Sequence, residues 1–142
     1  MYLLDTNIIS ELRKKDSANP RLKRFVHQLA EQNAKTYISS VTVGELRCGI
    51  DLIRHRGDLD QARALETWLQ TLMDQYAENI LDFGKEEAQI WGRLRVPHPE
   101  NALDKQIAAT ALSFGFTLAT RNVRDFVHTG VILHNPFEPS DA

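Results

Sequence analysis

Short apolar runs alternate with longer amphipathic ones along this chain, and that alternation constrains the fold more than any other feature. Residues 2–4, 37–39, 80–83, 117–120 and 131–134 read as strands. Residues 7–14, 41–53, 58–77, 86–95 and 102–114 read as helices. Pro20 can open a further helix, because proline fits a first turn, and Leu22, Phe25, Val26, Leu29 and Ala30 then keep helical spacing. Strands that alternate with helices predict an α/β fold with a central parallel sheet of about five strands wrapped by helices. The helices at 41–53 and 58–77 follow one another, parted near Gly57 and capped by Asp58. They predict a helical hairpin, which either docks a partner or a second copy, or simply covers the sheet. The alanine-rich 102–114 helix is expected to pack closely, and the proline-containing tail from Asn135 to be loose.

The 142 residues fit one domain, 1–142, long enough to bury a core. An apolar content of 42% and a charged content of 25% exclude a disordered chain. No apolar run approaches the roughly 20 residues of a membrane span. The opening MYLLD reads as a strand rather than as a secretion signal, and no such signal is expected. Cys48 is the only cysteine, so no intrachain disulfide forms, and a cytoplasmic location is expected.

The net charge of -2 hides an uneven distribution. Arg13, Lys14, Lys15, Arg21, Lys23 and Arg24 crowd residues 12–27 against Asp16 alone, whereas residues 58–87 are strongly acidic. Such a basic flank can hold a phosphate backbone or can be a solvated helix face.

Four acids stand near predicted helix starts: Asp5 in LLDTNIISEL, Glu45 in ISSVTVGELRCGI, Asp104 in ENALDKQIAATA and Asp125 in LATRNVRDF. Helices in such folds run antiparallel to the strands, so their N-termini gather at the carboxyl edge of the sheet, where ligands bind. A knot of carboxylates repels itself unless a cation sits within it. Oxygen donors suit Mg²⁺ or Mn²⁺, and the pattern reads first as metal-dependent phosphate chemistry. Each acid also has a plainer explanation as a helix cap. Thr42 and Glu45 match a capping box, and Asn101–Asp104 and Asn122–Asp125 share that spacing. The roles are compatible, since backbone N–H groups can hold one carboxylate oxygen while the other faces an ion.

Other chemistries lack their residues. There is no phosphate-cradling glycine loop and no serine elbow. The five histidines show no paired zinc spacing, and Cys48 is expected to pack within its helix. An aspartyl-phosphate enzyme working through Asp5 is a rival, but it wants a second acid two positions on, where Asn7 stands.

Taken in order, LLDTNIISEL, SSVTVGELRCGI, DKQIAATAL, LATRNVRDF and NPF resemble the PIN domain, and more closely its VapC-type toxins of bacterial toxin–antitoxin pairs. The resemblance spans essentially the whole chain. It implies a PIN-like three-layer α/β/α fold and an endoribonuclease using Mg²⁺ or Mn²⁺ on a narrow set of RNAs, often transfer RNA. Asp5 and Asp104 would be the principal metal ligands. Glu45 and Asp125 would complete the catalytic quartet, and Thr6, Asn7, Thr120 and Asn122 would orient the acids or touch substrate. The resemblance also implies a homodimer silenced by a cognate antitoxin. A non-catalytic RNA-binding or scaffolding module is the alternative from another class.

Overall fold

A computed structural model describes residues 1–139. Five parallel strands form one sheet in the order β3-β2-β1-β4-β5. They are β1 (Tyr2–Leu4), β2 (Thr36–Ser39), β3 (Ile80–Leu81), β4 (Thr117–Ala119) and β5 (Leu133–His134). β3 and β5 are shorter than the apolar runs predict, and each lies at an edge with a single neighbour. The helices are α1 (Thr6–Leu12), α2 (Pro20–Glu31), α3 (Ser40–His55), α4 (Leu59–Gln75), α5 (Lys85–Leu94) and α6 (Ala102–Phe114).

Side-chain alternation along the strands builds the layers. Leu4, Ile38 and Ala119 face α1 to α4, whereas Leu3, Tyr37 and Leu118 face α6. Register places Leu3 beside Tyr37 and Leu118, so like faces like across the sheet. Leu3, Leu118 and Ile107 are fully buried, each worth about 1.5–3 kcal/mol of apolar transfer. The result is the three-layer α/β/α architecture.

α3 and α4 form the expected hairpin. Gly57 turns between them at a φ of 93°, where a side chain would be strained, and Asp58 accepts from Gln61 N to cap α4. Glu66 on α4 pairs with Arg47 and Arg54 on α3, which clasps the hairpin.

The tail is not loose where it is described: Phe137 packs against the larger core cluster, Arg121 lies over its ring, and Phe137 N donates to Asn135 Oδ1. The rest of that expectation falls on residues 140–142, outside the described ones. Cys48 also departs from expectation, being exposed on α3 rather than packed.

Candidate metal and RNA site

From β1 the chain goes to β2 and β3 on one side, then crosses to β4 and β5 on the other. The crevice beyond the carboxyl ends of β1 and β4 is therefore the sheet's switch point, where ligands bind in open α/β folds. Asp5 leaves β1 there, and Thr120 leaves β4.

Asp5 caps α1 with extended backbone angles and is almost fully buried. Its Oδ1 accepts from Thr6 N at 2.8 Å. Its Oδ2 accepts from Thr120 Oγ1 at 2.8 Å and from Asn7 Nδ2 at 3.2 Å. Burial nonetheless raises the Asp5 pKa above the usual aspartate value; the hydrogen bonds from Thr120, Thr6 and Asn7 oppose the rise, and the charge of Glu45 adds to it. Thr120 is itself fully buried, and its hydroxyl accepts from Asn122 N at 3.0 Å. Asn7 Oδ1 accepts from Arg121 N at 3.2 Å, which ties the end of β1 to the segment after β4.

Glu45 does not take the plainer capping alternative. The cap of α3 is Ser39, whose side chain accepts from Val41 N, so Glu45 sits more than a turn inside the helix. Its Oε1 accepts from Thr6 Oγ1 at 2.8 Å. Thr6 Oγ1 also lies 3.1 Å from Thr42 Oγ1. Thr6 has one hydroxyl proton, and the Glu45 carboxylate is the nearer of its two acceptors. Thr6 thus orients Glu45 as Thr120 orients Asp5.

Asp104 stands in the first turn of α6, and Asn101 makes no side-chain cap there. Half-buried, its pKa is raised to about 6, first by desolvation and then by the charges of Asp5, Asp125 and Glu45. Asp125 is exposed on a one-turn 3₁₀ helix, Val123–Phe126, rather than at the start of an α-helix. The 3₁₀ helix ends at Phe126, with Val127 as its C-cap.

Asp5, Glu45 and Asp104 line one pocket of about 440 Å³ together with Thr6, Asn7 and Asn122. Asp125 lies outside this lining but close enough to act on Asp104. Among the described residues, none of the four carboxylates is in an ion pair, and no three Asp, Glu, His or Cys side chains stand gathered as a ready-made ion cage. The donors are all oxygen, and their mutual repulsion is felt at Asp104. That fits a hard divalent cation, which would supply the missing positive charge.

The basic flank divides. Arg13 and Lys14 line the acidic pocket, with Lys14 paired to Glu11 at 3.0 Å. Arg21 and Arg24 line a separate groove beside Tyr2 and His134. Lys23 donates to Asp16 O.

Two buried charges escape a reading of the sequence. Lys105, 4% exposed, turns away from its neighbour Asp104 and donates its Nζ to His98 O and Glu100 O. Nothing in its local sequence signals this. Glu87 accepts from Gly84 N at 2.9 Å and from Ser113 Oγ; its position three residues after the helix-opening Gly84 is the readable signal.

Fold and pocket together define a three-layer α/β/α protein with an acidic cleft at the switch point of its sheet. The PIN domain family model matches residues 2–131. Toxin FitB of Neisseria gonorrhoeae is 32% identical, with 96% of this chain and 99% of that one covered. The VapC ribonuclease Y4jK of Sinorhizobium fredii is 32% identical, over 99% of this chain and 100% of that one. The crystal structure of FitAcB from Neisseria gonorrhoeae superposes with a TM-score of 0.83 at 32% identity, covering 98% of this chain and 100% of that one. The chain belongs to the PIN-domain family, alongside its VapC-type toxins.

Proposed function

We propose that this protein is a divalent-metal-dependent endoribonuclease acting as the toxin of a toxin–antitoxin pair. The observation that carries the reading is the cluster of Asp5, Glu45, Asp104 and Asp125, which is in no ion pair among the described residues and in which burial, then the neighbouring charges, raise the Asp104 pKa to about 6. Kinship with the VapC ribonuclease of Sinorhizobium fredii supports the substrate class.

On this reading Asp5 and Asp104 hold Mg²⁺ or Mn²⁺, and Glu45 and Asp125 complete the charge. When bound, the ion supplies a water nucleophile at neutral pH and offsets charge on the phosphate. Thr120, Asn7 and the Thr6 amide hold Asp5 in one rotamer, so little ordering remains when the ion arrives. Thr6 does the same for Glu45. Arg13 and Lys14 at the pocket's edge draw in the phosphodiester strand. In-line attack on phosphorus leaves a 5′-phosphate and a 3′-hydroxyl.

The aspartyl-phosphate rival is disfavoured because Asn7, not a second acid, stands two positions after Asp5 and donates to its Oδ2. For control, a cognate antitoxin would seat an apolar helix on the protein and place an arginine among the carboxylates. The α3–α4 seam is clasped by Glu66, so the groove that suits such a helix is the one between α1 and α4, lined by Ile9, Leu12, Trp68 and Leu72. It shares Arg13 with the acidic pocket. A cytoplasmic homodimer completes the proposal. The test is cleavage of total transfer RNA by the purified chain with Mg²⁺ or Mn²⁺. Cleavage that stops in Asp5→Asn supports the reading. Uncut RNA under both ions leaves the non-catalytic RNA-binding module as the better account.

A further inference from the structure

We propose that the stacked imidazoles of His98 and His128, on the segments that flank Asp104 and Asp125 in the chain, form a base-stacking platform for single-stranded RNA. The inference rests on the ribonuclease reading and deepens it. His98 lies in the loop that leads into α6 and Asp104, and His128 follows the 3₁₀ turn that carries Asp125. Their ring centroids are 5.4 Å apart, with planes inclined by only 22°. Two separate segments, one leading into Asp104 and one following Asp125, are thus joined by an aromatic pair.

Neither ring belongs to the core. Both residues are exposed, and the His98 side chain keeps 53% of its surface in solvent. The loop beneath is anchored: the buried Lys105 ammonium donates to the carbonyls of His98 and Glu100, and the Glu100 carboxylate lies 3.5 Å from His98 Nδ1. A buried charge committed to two loop carbonyls fixes where an exposed ring sits. Unstacked RNA bases bind aromatic faces, imidazole included, and base–aromatic stacking is tolerant of sequence. Arg124 is exposed on the same 3₁₀ turn, which adds positive charge near the platform. An exposed pair that only tied loop to turn would matter to stability and not to RNA.

The test uses the full chain in the Asp5→Asn background with Mg²⁺, so that RNA stays intact. Affinity for a fluorescently labelled single-stranded oligoribonucleotide is read by anisotropy, with thermal melts alongside. His98→Leu and His128→Leu fill similar space without a π face and should each weaken binding about tenfold. His98→Phe and His128→Phe should keep near-parental affinity, because stacking needs the ring and not its proton. Leucine variants that bind like the parent overturn the platform while leaving the ribonuclease reading intact, as do phenylalanine variants as weak as the leucine ones. A parent that binds no RNA overturns the platform, whereas the ribonuclease reading stands or falls on cleavage by the wild-type chain.

Discussion

Thr120 Oγ1 donates to Asp5 Oδ2 across 2.8 Å, so a residue from the end of β4 fixes the carboxylate at the end of β1. Both side chains are buried, and the bond spans the switch point of the sheet. Thr120→Val keeps the shape and removes the donor. It also strips Asn122 N of its acceptor. The variant should lose about 1–3 kcal/mol of stability in urea unfolding. Mn²⁺ affinity should fall about 10- to 100-fold, as when other outer-shell partners of metal ligands are removed. Calorimetry reads the second effect, and unchanged affinity would separate Thr120 from the site.

Asp104 sets a pH dependence. Its pKa is raised from 3.8 to about 6 in the native chain, so the native state holds this proton more tightly than the unfolded state. Native stability from this group is therefore fully present below about pH 4 and is lost as pH rises through about 6. With chelator present, Asp104→Asn should flatten that decline. The gain at pH 7 is on the order of 1 kcal/mol once solvent screening of a half-exposed carboxylate is discounted. RNA cleavage should fall on the acid side of about 6, where the Asp104 proton competes with the metal. Unfolding curves of both chains across this range, and a cleavage–pH profile, check the two statements.

The division of the basic flank predicts unequal roles. Arg13→Ala with Lys14→Ala should weaken RNA binding and reduce the salt slope by about one unit per lost phosphate contact. Arg21→Ala with Arg24→Ala, in the groove beside His134, should change the slope little. Anisotropy titrations across a salt series distinguish the pairs, and equal slopes in both would assign this role to neither.

The layers were legible because strand alternation sorts residues such as Leu3 and Leu4 onto opposite faces whatever the loops do. The pocket was less so. Thr42 and Glu45 have capping-box spacing, yet Ser39, extended at the end of β2, caps α3 first and frees Thr42 to meet Thr6. Residues 36 apart had to be brought together by β1–β2 pairing before Thr6 and Thr42 could meet. Asn122–Asp125 has the same spacing, but only a 3₁₀ turn follows, and turn length depends on what packs under Phe126. The tail's prolines suggested looseness, whereas Phe137 supplies the apolar anchor that holds it to the core. Lys105 shows the limit most clearly, since its partners are backbone carbonyls of the loop before its own helix.

The central claim is that the cluster around Asp104 binds a divalent cation, and calorimetric titration with Mn²⁺ tests it most directly. The wild-type chain should bind with release of a proton near pH 6, and Asp5→Asn and Asp104→Asn should each abolish binding while their melts remain cooperative. Undiminished Mn²⁺ binding in both variants, or none in the wild type, would contradict it.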